Sequence, residues 1–319
     1  MRHPTFSSPL SDAWTGRIDG PLPDFANWFT SVKPLTSDAT PGVALLGFAS
    51  GEGVVRNGGR AGAQEGPDAI RRLLGSLTLL RPYPLYDAGT IHLTGMNLEE
   101  AQDSLAEAVG EIIEAGHLPI VLGGGHDTAY GTWRGLHQSV GTASEISILN
   151  LDAHFDLRLT DRANNGTPFR QIAEIAGDEF SYAVLGISPP SNSKFLFDSA
   201  RALAVTSRTD DWINDLSPAE AADLALELTA SRPHIHLSID LDVLPASVAP
   251  GVSAPAAVGI SLAHVRAVAL ALARSGRLAL VDIVELNPTL DHDERTARVA
   301  ARLVHDIAEA YLTSRATYA

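Results

Sequence analysis

Leu118-Pro119-Ile120-Val121-Leu122-Gly123-Gly124-Gly125-His126 is a short apolar run that stops abruptly at three glycines and a histidine. With no alternating wet side, the run predicts a strand covered on both faces, as in a parallel sheet flanked by helices. Runs of the same kind recur at residues 43–48, 146–151, 183–187, 202–205, 235–241 and 278–284. Between most of them lie longer amphipathic stretches. Residues 98–115 carry Leu98, Ala101, Leu105, Val109, Ile112 and Ile113 on one stripe. Residues 218–230 follow Ser217, a good N-cap, and begin with Pro218. Residues 262–275 and 294–312 read as further helices. The expected fold is therefore α/β. Residues 1–41, rich in Pro, Ser, Asp and Trp, read as an irregular N-terminal arm, and residues 42–319 as a single domain.

Composition narrows the function. The 319 residues hold 23 Lys plus Arg against 38 Asp plus Glu, a net charge of −15, which argues against a nucleic-acid partner. There are no cysteines, so any metal must be held by His and carboxylates. Met1 to Thr5 begin no apolar leader, and no stretch approaches membrane-spanning length, which predicts a cytoplasmic protein without a membrane partner.

In parallel sheets, ligands bind beyond the C-terminal ends of the strands. Three such ends carry polar clusters. The glycines before His126 permit sharp turning and close backbone approach, which aims that side chain into a cleft. In Leu149-Asn150-Leu151-Asp152-Ala153-His154-Phe155-Asp156, the residues Asp152, His154 and Asp156 recur at every second position. On an extended backbone they project from one side. In His234-Ile235-His236-Leu237-Ser238-Ile239-Asp240-Leu241-Asp242 the isoleucines and leucines face one way and the polar residues the other. Asp240 and Asp242 finish that strand, while His234 and His236 read as hydrogen-bonded core residues.

His126, Asp152, His154, Asp156, Asp240 and Asp242 thus form a candidate metal site. Four carboxylates in one cleft do not all stay ionised without cations. Two divalent ions balance them, and mixed oxygen and nitrogen donors without sulfur favour two Mn²⁺ per chain. Water held by two such ions becomes a nucleophile near neutral pH.

These motifs, in this order, resemble the ureohydrolases, the family of arginases, agmatinases and formimidoylglutamases. The stretches 57–63, 66–71, 245–255 and 281–288 resemble further family motifs, so the similarity runs from about residue 40 onward. The resemblance implies a three-layer α/β/α sandwich around an eight-stranded, mainly parallel sheet, assembled into trimers or hexamers. It implies that His126, Asp152, Asp156 and Asp240 hold one Mn²⁺, and Asp152, His154, Asp240 and Asp242 the other. It also implies that Glu285 orients the cationic amidino nitrogens of a small substrate.

Within the family the variable positions choose the substrate. Arginases and agmatinases place a His before the Gly of the motif at 164–170, where this chain has Asn165, as formimidoylglutamases similarly do without that His. Arg158 stands where a small polar residue contacts the substrate carboxylate in arginases. It reads either as a carboxylate clamp or as an exposed loop arginine. Ser191 and Asn192, in a polar triplet resembling the formimidoylglutamase pattern, are candidate contacts to a second carboxylate, or helix-capping residues. Trp14 to Asp19 resembles the formimidoylglutamase N-terminus, whereas Asp127 departs from the Glu usual there. The resemblance implies hydrolysis of N-formimidoyl-L-glutamate to L-glutamate and formamide, as in histidine degradation, with a guanidino-acid hydrolase releasing urea as the alternative. Asp156 is expected to pass a proton from the attacking water to the leaving amine.

Overall fold

The computed structural model describes residues 10–21, 23–93 and 97–316, so Met1 to Thr5 lie outside the described residues. Among the described residues nine strands form one sheet: β1 (Lys33–Pro34), β2 (Val43–Ala49), β3 (Leu85–His92), β4 (Leu118–Leu122), β5 (Ile146–Leu151), β6 (Tyr182–Ile187), β7 (Thr206–Thr209), β8 (His234–Asp240) and β9 (Leu278–Val284). Every pairing is parallel, in the order β1-β3-β2-β4-β9-β8-β5-β6-β7.

Alternate residues of the central strands feed two cores. Leu149, Leu151, Leu237 and Ile239 join the helices Gly66–Leu74, Pro218–Leu228, Leu262–Arg274 and Arg295–Ala316 on one face. Ile146, Ile148, Val184 and Leu280 join Leu98–Glu114, Thr128–Val140, Pro168–Ala176 and Lys194–Ala202 on the other. The result is the expected α/β/α sandwich. Burying each such Leu or Ile contributes about 1.5–3 kcal/mol, which explains why the central strands are mostly apolar. No described helix is long and apolar enough to cross a membrane.

The sheet has nine strands rather than eight. The added edge, β1, spans two exposed residues and has no periodicity to read. The strand expected at 202–205 is also displaced. Ala202 ends a helix, Ala204 takes a left-handed φ of 54°, and β7 begins at Thr206. Thr206-Ser207-Arg208-Thr209 is half-buried at the sheet edge, so no apolar run announces it. β3 was hidden by its polar residues, chiefly the buried Asp87, which accepts from Arg71 Nη2 at 2.8 Å and from Trp14 Nε1 at 2.6 Å. Trp14 in turn stacks on Trp28, with ring centroids 6.2 Å apart, and both indoles lie in the core.

Candidate metal centre

The four middle strands, β4, β9, β8 and β5, are neighbours in the sheet, and each delivers functional residues from its C-terminal end. After β4, the chain turns through Gly123, Gly124 and Gly125 to His126. A Cβ on Gly124 would lie 1.8 Å from Ser50 O, so only glycine permits this approach. β5 stops at Leu151, and the segment carrying Asp152, His154 and Asp156 is bent rather than extended. Asp152 Oδ1 accepts from His154 N at 2.6 Å, and Asp156 adopts a left-handed φ of 49°. β8 ends at Asp240, whose Oδ1 accepts from Asp242 N at 2.8 Å, so Asp242 sits in a 3-10 turn beyond the strand. β9 leads into Glu285, at φ 69°. A left-handed backbone at a non-glycine residue costs about 1–3 kcal/mol, and here it falls on two carboxylates of the cleft.

Nδ1 of the fully buried His126 faces three carboxylate oxygens: Asp156 Oδ2 at 3.0 Å, Asp152 Oδ2 at 3.1 Å and Asp240 Oδ2 at 3.2 Å. It has no hydrogen-bond partner. Beside this group, His154 Nδ1 lies 3.0 Å from Asp242 Oδ2 and 3.6 Å from Asp152 Oδ1. Within each of the two groups the donor atoms lie no more than 4.8 Å from one another. Asp152 belongs to both. Asp240, expected to serve both, falls in the first group through Oδ2, while its Oδ1 accepts from the Asp242 N–H.

The donor set fits a pair of cations. Four buried carboxylates outnumber the two imidazoles, so with all four ionised the cluster is negative even when both rings are charged. Burial and the charge of Asp152 push Asp156 up to about 6. Burial, with Asp242 and Asp152 adding repulsion, drives Asp240 well above the usual carboxylate range, and burial raises Asp242. Burial disfavours charge on Asp152 too, but His126 and His154 outweigh it and hold this carboxyl below its ordinary value. For His126, burial opposes the charged ring, yet Asp152, Asp156 and Asp240 raise its pKa well above normal.

A buried chain supports His126 from behind. Its Nε2 lies 2.9 Å from Ser238 Oγ, Ser238 donates to Asp282 Oδ1, and Asp282 Oδ2 also meets His236 Nε2 at 2.6 Å and Thr132 Oγ1 at 2.9 Å. His236 is thus a buried, hydrogen-bonded residue as expected. His234 is instead partly exposed, 3.7 Å from Glu145.

Above the cluster opens a cleft of about 200 Å³ lined by His154, Asp156, Asp240, Asp242, Glu285, Asn165, Arg158 and Asn57, among others. Burial pushes Glu285 up to about 7 against the lowering effect of Asn165 Nδ2 and His126 N, each donating to Oε1 at 2.8 Å. Arg158 is exposed and has no ion-pair partner among the described residues. Its stem packs over Gly166, where a Cβ would lie 2.6 Å from Cδ. Ser191 and Asn192 do not line this cleft. Ser191 is exposed and bonds Ser188 Oγ, while buried Asn192 donates to Ala153 O and Ser188 O and accepts from Phe155 N. Asn192 therefore braces the loop that carries His154. Ser193 stands at the helix N-cap without a side-chain cap bond. Ser238 and Asp282 were not singled out from the sequence as site residues, because each reaches the cluster through another side chain, and neither was Asn57, which lines the cleft and bonds Asn165.

A parallel sheet whose central strands end in two overlapping His/Asp groups defines the class of protein. The chain belongs to the arginase family, whose model matches residues 41–309. It is 54% identical over 314 residues to the formimidoylglutamase of Corynebacterium efficiens, covering 98% of this chain and 99% of that one. It is 50% identical to the formimidoylglutamase of Nocardia farcinica, over 92% and 95% of the two chains. Among solved structures it resembles Trypanosoma cruzi formiminoglutamase with Mn²⁺, at 30% identity and a TM-score of 0.79, covering 86% of this chain and 94% of that one.

Proposed function

We propose that the chain is a binuclear-manganese hydrolase of N-formimidoyl-L-glutamate, releasing L-glutamate and formamide. The observation that carries this reading is a cleft with opposite recognition groups: Glu285 above the carboxylate cluster, and the unpaired guanidinium of Arg158 in the same wall. Such a cleft suits a molecule with an amidine at one end and carboxylate at the other. The likeness to the Corynebacterium and Nocardia formimidoylglutamases supports this substrate over arginine or agmatine.

His126, Asp152, Asp156 and Asp240 are assigned to one Mn²⁺, and Asp152, His154 and Asp242, with Asp240, to the second. When bound, the pair supplies Lewis acidity, lowering the pKa of water and stabilising negative charge on the substrate. Glu285 accepts hydrogen bonds from the amidine nitrogens and fixes the carbon for attack. Asp156 takes the proton of the attacking water as its oxygen adds to the amidine carbon and the C=N electron pair moves to nitrogen, and then delivers that proton to the amine nitrogen of glutamate as the C–N bond breaks. Asn165 cannot titrate and takes no part in proton transfer; it holds Glu285. Arg158 pairs with a substrate carboxylate, Asn192 acts through the loop it braces, and Ser191, bonded to Ser188, stands outside the cleft. Residues 42–319 form the catalytic domain of a cytoplasmic homo-oligomer, a trimer or hexamer.

The test is an assay of Mn²⁺-loaded protein against formimidoylglutamate, arginine, agmatine and guanidinobutyrate. Formamide release from the first is expected; urea release without formamide would overturn the choice. An Asp156→Asn protein that binds both ions and keeps full turnover would remove Asp156 from proton transfer.

A further inference from the structure

The stretch Asn57-Gly58-Gly59-Arg60 has no part in the chemistry described so far, yet its first residue lines the cleft. Asn57 closes the helix Glu52–Arg56, with its backbone N–H donating to Gly53 O at 3.1 Å. Its side-chain Nδ2 donates to Asn165 Oδ1 at 2.9 Å, and Asn165 Nδ2 donates to Glu285 Oε1 at 2.8 Å. The neighbouring Arg56 holds the same loop, since Nη1 donates to Ala163 O at 3.0 Å while the guanidinium pairs with Glu52 and Glu99. Close approach needs Gly166, where a Cβ would lie 3.2 Å from Asn57 Nδ2.

A carboxamide has one donating end and one accepting end, and a half-turn of its plane exchanges them. Turned the other way, Asn165 would set its oxygen against the Glu285 carboxylate and its NH₂ against the NH₂ of Asn57. Both contacts would be repulsive. The Glu285 carboxylate calls for a donor from Asn165, and Asn57 completes the chain by donating to the Asn165 oxygen that this leaves facing it, so the two bonds together favour one orientation of Asn165. That orientation ties Glu285 Oε1 down between Asn165 and the His126 N–H, and leaves Oε2 without a bond to any described residue.

We propose that Asn57 is a positioning residue: it sets the direction of the Asn165 amide, and through it leaves a single Glu285 oxygen for the amidine of the substrate. This rests on the amidine-hydrolase reading above.

The decisive comparison is Asn57→Asp against Asn57→Ala. Asp is the closer match in size but presents only acceptors, so Asn165 must turn its nitrogen away from Glu285. Asn57→Asp is expected to lose about 10–100-fold in kcat/KM, and Asn57→Ala only about 2–10-fold. A residue that merely filled space would give the opposite order, and that order overturns the proposal. Melting temperature and bound Mn²⁺ are measured on each variant, and both are expected to match the parent.

The second arm is a double-mutant cycle with Asn165→Ala, which also decides the matter if Asn57→Asp fails to fold. If Asn57 works through Asn165, the Asn57→Ala/Asn165→Ala protein is no slower than Asn165→Ala alone; additive losses overturn the proposal. Should the parent release urea from a guanidino acid rather than formamide, the substrate reading fails. The same cycle, run on that guanidino acid, then judges Asn57 separately.

Discussion

His126 Nε2 lies 2.9 Å from the hydroxyl oxygen of Ser238, and that hydroxyl is itself spoken for by Asp282. The ring is therefore held in one plane with Nδ1 turned toward Asp152, Asp156 and Asp240. Supporting bonds of this kind orient a ligand and raise its basicity. Ser238→Ala is expected to weaken Mn²⁺ binding about 10–100-fold while leaving the fold intact. Chelator competition on the parent and variant measures it.

Ion binding should depend on pH with a definite sign. Burial and the charge of Asp152 place Asp156 at about 6, and burial, with repulsion from Asp242 and Asp152, raises Asp240 as well. Below those values the carboxyls carry protons that must leave before a cation can enter. Mn²⁺ affinity is thus expected to fall as pH drops below about 6, with proton release on binding. Calorimetry in two buffers of different ionisation enthalpy, at pH 5.5 and pH 7.5, reads both effects.

Removing the ions should also destabilise the protein. An ion that binds only the folded chain adds about 2.7 kcal/mol when present at a hundred times its dissociation constant. Dialysis against a chelator is expected to lower the melting temperature, and Mn²⁺ to restore it. A scan of metal-free and reloaded samples checks this.

Arg158→Gln removes the only unpaired cation described in the cleft wall. A charge-assisted bond to a carboxylate contributes about 1.5–3 kcal/mol, so KM for formimidoylglutamate is expected to rise roughly 10–100-fold. The formamide-releasing chemistry, carried by Glu285 and the His/Asp cluster, remains. Initial rates over a range of substrate concentrations separate the two constants.

A last prediction concerns stability rather than catalysis. Trp28 Nε1 donates to His305 Nδ1 at 3.0 Å, which requires a neutral acceptor, and burial lowers the pKa of His305 from its usual 6.5. The unfolded chain then binds more protons than the folded one between the lowered value and 6.5, so stability rises with pH across that window. The contribution is complete above it and lost as pH falls through it. His305→Gln keeps an acceptor without titrating, so its stability is expected to fall less than the parent's between pH 7.5 and pH 5.5. Urea unfolding followed by tryptophan fluorescence provides the comparison.

Much of this was legible in the order of residues. β2, β4, β5, β6 and β9 are buried on both faces, so mostly apolar runs betrayed them, and β8 was betrayed by its alternation of Ile and Leu with polar residues. The edge strands β1 and β7, and the Asp87-bearing β3, mix polar residues into short stretches and left no such trace. The six clustered His and Asp side chains were legible because each stands at or just beyond the C-terminal end of a strand. Their local shape was not. Asp152, His154 and Asp156 suggested an extended backbone, but carboxylate-to-amide bonds and a left-handed Asp156 bend the segment instead. Asn57 lies 108 residues from its partner Asn165, and no local pattern announces such a pairing.

The sheet is stitched from its flanks inward. β4 and β5 follow one another in the chain, yet the two places between them stay vacant until β8 and β9, the last strands to be made, slot in. Asp240, Asp242 and Glu285 arrive with those final strands. A growing polypeptide consequently has no complete cage to offer a passing ion until the centre of the sheet is closed, and capture of metal becomes a signature of finished folding.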